Sequence, residues 1–172
     1  MIIRNEQATD ISAIETLTYQ AFLDHPHHEP GAKPTEHLIV NRLRDAGALT
    51  LSLVAEDDGR VLGHVALSPV QIAAADSNWL GLGLGPISVL PEQQGNGIGR
   101  ALMEAALAQA KAMDFDGIVL LGEPELYQRF GFKAESQLTL EGVPAEYFLA
   151  QRLSDKPLPA GAVSYHAGFY GQ

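Results

Sequence analysis

Gln94-Gly95-Asn96-Gly97-Ile98-Gly99-Arg100 is the stretch of this chain whose residue types and spacing could do chemistry. Three glycines at alternate positions leave no Cβ to block a close ligand. They stand where an apolar run gives way to a helical pattern, so the turn presents several backbone N–H groups at a helix N-terminus. Those donors, with the helix dipole, suit an anion such as a pyrophosphate. Arg100 adds a cation near the same place. A P-loop is ruled out, because no Lys follows the glycines. The dinucleotide pattern G-x-G-x-x-G is also broken, since Arg100 stands where its last Gly belongs. Asp116 has roughly the spacing of that motif's acidic residue, but it precedes its strand rather than ending one. A turn that merely caps a helix needs fewer glycines than this.

The elements that must position this loop can be read from periodicity. Ile2-Ile3-Arg4 reads as a first strand. Thr9 or Asp10 caps a helix to about Phe22, with Ile11, Ile14, Leu17 and Phe22 at roughly helical spacing. Residues 25–31, with three His, two Pro and a Gly, read as a loop. Pro34-Thr35-Glu36 opens a second helix that ends near Gly47. Residues 49–56 and 60–70 form a hairpin about Asp57-Asp58-Gly59. Residues 71–80 are irregular. Residues 82–90 read as a strand interrupted by Gly83, Gly85 and Pro86, which signals a bulge or a close backbone approach. A long helix follows from about Gly97 to Met113, with Ile98, Leu102, Ala106, Ala110 and Met113 on one face. Residues 117–121 form a short buried strand, and Pro124 starts a short helix ending at Gly131. Beyond Phe132, strand segments fall around Thr139, residues 147–149 and residues 163–165.

Composition narrows the function classes. The 172 residues suit one domain, expected to span 1–172, and 46% hydrophobic content supports a sizeable core. With 11 Lys+Arg against 21 Asp+Glu, the net charge is −10. Nucleic acid is not an expected partner, because Lys and Arg nowhere cluster into a basic footprint. No apolar run reaches the roughly 20 residues of a membrane helix, and no signal peptide is legible, so a cytoplasmic protein without a membrane partner is expected. There is no cysteine. That excludes a disulfide framework, a thiolate metal site and an acyl-enzyme on sulfur.

Gln94-x-x-Gly97-x-Gly99 resembles the acyl-CoA pyrophosphate loop, Q/R-x-x-G-x-G/A, of the GNAT N-acetyltransferase superfamily. The preceding 85–91 segment resembles that family's splayed central strand, and Tyr127-Gln128-Arg129-Phe130-Gly131-Phe132 resembles its Y-x-x-φ-G-F signature. These motifs cover about 82–132, the expected acyl-CoA-binding core. Glu123-Pro124-Glu125-Leu126-Tyr127 with Pro144-Ala145-Glu146-Tyr147-Phe148 downstream is similar to the bacterial YhbS-like branch. The resemblance implies a single α/β domain, a mixed sheet with helices on both faces. It implies acetyl-CoA as cosubstrate, no metal, and an N-acetyltransferase acting on a primary amine of a small molecule or protein by direct attack. Backbone N–H groups of Gln94, Gly95, Asn96, Gly97, Ile98, Gly99 and Arg100 would hold the pyrophosphate. The backbones around Ile87, Ser88 and Val89 would line the pantetheine, with Ile87 and Val89 pairing to it as to an added strand. A Val89 N–H would polarise the thioester carbonyl, and Tyr127 would protonate the departing thiolate. Many members carry an Asn seven residues before this Tyr. Leu120 stands there, so backbone groups of 123–126 are the expected substitute. Family analogy extends to a homodimer.

Such chemistry needs a base. At an amine pKa near 10.4, roughly one amine in 2,500 is neutral at pH 7, a deficit of about 4.6 kcal/mol. The candidates are Glu123, Glu125, His64, Ser88 and the His25/His27/His28 loop, and the residues do not choose among them. His64 lies between apolar neighbours, which favours a core histidine. The acidic surplus points to a cationic acceptor. A catalytically silent acyl-CoA-binding module is the alternative, since it would keep the glycine loop without needing Tyr127.

Overall fold

The computed structural model describes residues 1–23, 33–73 and 78–170. Among the described residues, nine strands form one sheet: β1 (Ile2–Asn5), β2 (Leu51–Asp57), β3 (Arg60–Ile72), β4 (Gly81–Val89), β5 (Gly117–Leu121), β6 (Lys133–Ala134), β7 (Leu138–Thr139), β8 (Phe148–Arg152) and β9 (Gly161–Tyr165). The order is β1-β2-β3-β4-β5-β8-β6, and β9 joins β3 beyond the end of β2. Pairing is antiparallel except between β4 and β5 and between β7 and β9. The helices are α1 (Ile11–Phe22), α2 (Glu36–Asp45), α3 (Ile98–Ala112) and the single turn α4 (Pro124–Tyr127), continued as a 3-10 turn to Phe130.

The sheet is covered on both faces, as expected. Along β2 and β3, Leu53, Val65 and Leu67 point to the α3 side, where they bury Leu102, Met103 and Ala106. Val54 and Ala66 alternate to the other side, against Ile14 of α1 and Val40 of α2. Gly63 lets α3 settle on β3. A Cβ there would stand 2.9 Å from Ile98 Cγ2 and 3.1 Å from the Ser88 carbonyl oxygen. The start of α3, and with it the glycine loop, is thereby held against β4.

Two expectations need correction. Met113 is 46% exposed, whereas Met103 is buried in the α3 stripe. The helix ends at Ala112 and Asp114 turns left-handed, so the chain leaves the helical path before Met113 can reach the core. Met103 completes the i, i+3, i+4 stripe instead. Leu121, the last residue of the strand expected to be wholly buried, is 54% exposed, because it overhangs a cleft. The His25/His27/His28 loop lies outside the described residues.

Candidate active site

The site begins where β4 parts from its parallel neighbour. β4 and β5 pair only at Gly81↔Gly117, Leu82↔Ile118 and Gly83↔Val119. Beyond Gly83, β4 bends away at a bulge. Val65 faces Ile87 while Leu67 faces Leu84, so Gly85 and Pro86 are accommodated opposite Ala66 alone. The glycine and proline that weakened the strand reading are the residues that make this fork. On its far edge β4 still pairs with β3, and Leu90 N–H donates to Leu62 O at 2.9 Å. Antiparallel ladders alternate, so Ser88 also turns its amide toward β3, and Ile87 and Val89 turn theirs outward into the fork. The Val89 carbonyl accepts a bond from Gln94 Nε2 at 3.3 Å, which ties the strand to the loop below it.

The loop lies at the fork's open end. Gly95 and Gly97 have φ of 84° and 83°, left-handed values that a β-carbon makes costly. Ala101 N–H is the first amide of α3 to bond back, to Gly97 O at 3.0 Å. Among the described residues, the amides of Gly95 through Arg100 have no backbone acceptor. No protein atom comes within 4 Å of a Cβ built at Gly95 or Gly97. Protein packing therefore leaves the space above the loop open. The Arg100 side chain is the exception to the expected anion cradle. It lies along the helix surface with Nε 3.0 Å from Glu104 Oε1, a favourable i,i+4 pair. Its amide is among those without a backbone acceptor, but its guanidinium is engaged with Glu104.

Tyr127 closes the fork from the β5 side. A cavity of about 750 Å³ brings it together with Ile87, Leu84, Pro86, Leu120, Glu123 and Tyr147. The Tyr127 ring meets Phe132 edge-on, with centroids 6.4 Å apart. Burial raises its pKa above the ordinary phenol value, so the hydroxyl stays protonated and is fit to act as an acid. Gly122 makes room for the ring. A Cβ at Gly122 would collide with Tyr127 Cε2 and stand 2.9 Å from Cδ2. Gly122→Ala is therefore expected to push the ring aside and lower kcat about tenfold, while circular dichroism and cooperative unfolding persist. Wild-type turnover in that variant would show that the ring's position does not matter. Sequence reading missed Gly122 and Tyr147; the signal available was a lone Gly between a buried strand and a helix start.

Of the candidate bases within the described residues, the cavity takes in Glu123 and leaves the others out. Glu123 is exposed at the N-cap of α4. Glu125 is exposed outside the cavity wall, although it lies only two residues before Tyr127. Ser88 and His64 face each other across β4 and β3, both buried on the α1 side of the sheet. His64 Nε2 is 2.7 Å from Ser52 Oγ, which donates to Glu6 Oε1 at 2.7 Å. Burial drives the His64 pKa down to about 4. It is a core histidine.

That assignment predicts a pH effect on stability. Below pH 6.5 the unfolded chain binds a proton at His64 that the folded chain refuses until about pH 4. Stability therefore falls through that window, by about 3 kcal/mol if the whole shift is realised. Urea midpoints measured from pH 7 to 4.5 should drop less steeply in His64→Asn than in the wild type. Equal slopes would contradict a neutral buried imidazole.

Residues 49–134 match the acetyltransferase (GNAT) domain family. The chain is 35% identical over 176 residues, 98% of each partner, to a protein of Escherichia coli (strain K12) named Uncharacterized N-acetyltransferase YhbS. Among solved structures it is similar to a GNAT family acetyltransferase from Brucella melitensis in complex with acetyl-CoA. That pair shows 44% identity and a TM-score of 0.82, with 98% of this chain and 97% of the other covered. YhbS from Escherichia coli in complex with CoA matches at 34% identity and a TM-score of 0.85, covering 98% and 91%.

Proposed function

The chain belongs to the GNAT acetyltransferase family, and from that premise we propose that it carries an acetyl group from acetyl-CoA to a primary amine by direct attack. The observation that carries this reading is the fork. The outward-turned backbones of Ile87 and Val89 lie between a glycine loop with unpaired amides and a cavity that holds Tyr127. Two relatives bind acetyl-CoA or CoA.

In this reading the pantetheine adds to the free edge of β4 through Ile87 and Val89. The pyrophosphate takes the amides from Gly95 to Arg100. The Gln94 side chain, bonded to Val89 O, helps hold the two halves of that surface in register. The Val89 amide donates to the thioester oxygen as negative charge develops there. A neutral amine attacks the carbonyl carbon, and the C–N bond forms as the tetrahedral intermediate appears. The nitrogen's proton passes to Glu123, directly or through water. The intermediate then collapses, the C–S bond breaks, and Tyr127 gives its proton to the leaving thiolate. With no cysteine in the chain, an acyl-enzyme on sulfur has no place in the sequence of steps.

Isothermal titration with acetyl-CoA, with CoA as competitor, tests the proposal. Saturable heat in the micromolar range is expected. No heat and no competition at millimolar concentration would overturn it. The absence of protein thiols also means that released CoA can be followed with a thiol reagent without background.

A further inference from the structure

A second cavity of about 720 Å³ adjoins the Tyr127 cavity, and the two share Phe22, Leu84, Gly85, Pro86, Leu121 and Val143 as a common apolar wall. The second cavity runs toward β9 and the C-terminal turn, where Tyr165, Phe169 and Tyr170 line it. Tyr165 and Phe169 meet edge-on with centroids 4.8 Å apart. Glu36 and Glu141 are its charged lining residues, and no Lys, Arg or His lines it among the described residues. Aromatic faces and carboxylates both attract cations, and together they form a site that prefers a charged ammonium group. A reacting amine, however, must be neutral. A site that stabilises the ammonium form would oppose attack by the very nitrogen it held. The cation held at the far end is therefore a different one from the nucleophile.

Building on the acetyl-transfer reading, we propose that the acceptor is a diamine-like molecule: a primary amine joined by an apolar spacer to a second group that is cationic at neutral pH, such as an ammonium. The second cation sits between the carboxylates and the aromatic rings of the far cavity. The spacer lies along the shared wall of Leu84, Pro86, Leu121 and Val143. The free amine emerges into the Tyr127 cavity, where the thioester is delivered. An acceptor with a carboxylate at the far end is disfavoured by Glu36 and Glu141, and an uncharged far end forgoes the aromatic and acidic contacts. The net charge of −10 draws such acceptors from solution.

The test is CoA release from acetyl-CoA with three matched series of unbranched chains: diaminoalkanes, alkylamines and ω-amino carboxylates of three to eight carbons. The expected kcat/KM for the best diaminoalkane exceeds that of the alkylamine of equal length by tenfold or more, and that of the amino carboxylate by a hundredfold. Glu36 already has an interaction of its own within the protein, so the variant is Glu141→Gln. It should lower the diamine kcat/KM about fivefold, largely through KM, and leave the alkylamine unchanged. Equal rates with diamines and alkylamines would overturn the proposal while leaving acetyl transfer intact. So would a Glu141→Gln loss shared by both series. Release by none of the three overturns it as well. Failure of the parent reading is distinct: acetyl-CoA would then not bind, or would bind and give no CoA release with an amine of any kind.

Discussion

Tyr127→Phe lowers kcat about 100-fold and leaves the Kd for acetyl-CoA within a factor of three. General acid catalysis contributes about 10²- to 10⁴-fold in enzymes at large. The low end applies here, because a thiol with a pKa near 8.5 is a fair leaving group even unprotonated. The phenyl ring keeps the edge-on contact with Phe132 and the close approach to Gly122. Among the described residues the Tyr127 hydroxyl has no hydrogen-bond partner in the protein, so stability should change by less than about 1 kcal/mol. The pH profile supplies a second readout. The active form is the protonated phenol, and burial shifts its pKa upward. Activity in the wild type should therefore not fall on the alkaline side through loss of this acid until above about pH 10. Steady-state turnover with calorimetric binding in parallel decides the matter. A Phe variant within threefold of wild-type kcat would remove Tyr127 from the mechanism and favour an unassisted thiolate departure.

Gly97→Ala separates what the loop does for the fold from what it does for the ligand. Gly97 is the N-cap of α3 with a left-handed backbone, and a Cβ there meets nothing within 4 Å. The protein itself thus loses only the conformational tolerance of glycine, about 1 kcal/mol. Such a loss lowers Tm by about 2–4 °C in a chain of this size. The effect on acetyl-CoA should be much larger. The added methyl stands over amides that would face the pyrophosphate, and each charge-assisted bond lost is worth about 1.5–3 kcal/mol. An affinity loss of about 100-fold is expected. Thermal melting with and without acetyl-CoA, and titration calorimetry, give the two numbers on one sample. If affinity falls less than threefold while Tm drops as stated, the loop serves the helix start alone.

Much of this site was legible before any coordinates. A glycine loop at a helix start exposes amides because of local backbone geometry, and local geometry follows from residue type. The hairpin about Asp57-Asp58-Gly59 and the order of the remaining elements were readable for the same reason. Misreadings arose where a neighbour outside the motif intervened. Arg100 reads as a phosphate cation, but Glu104 one turn on takes its guanidinium. Leu121 reads as core from its apolar neighbours, but β4 has already left β5 at Gly83, so nothing covers it. Glu123 and Glu125 are equivalent on paper, and only the direction of α4 puts one of them in the cavity wall.

The amino-acid sequence by itself determined the glycine loop at a helix start, the tyrosine proposed here as the acid, and the lack of cysteine that leaves direct transfer as the proposed chemistry. Each depends on residue type within one short segment. Tertiary structure decided which edge of β4 is free, because that depends on the register with β3 and on the bulge at Gly85 and Pro86. It also decided the cavity proposed for the acceptor. Phe22, Glu36, Glu141, Tyr165 and Phe169 lie far apart along the chain, and only folding the helix pair and the C-terminal strands around the fork makes them one wall. Contacts of that kind have no local signature, since the energy that forms them is the burial of surfaces from separate elements.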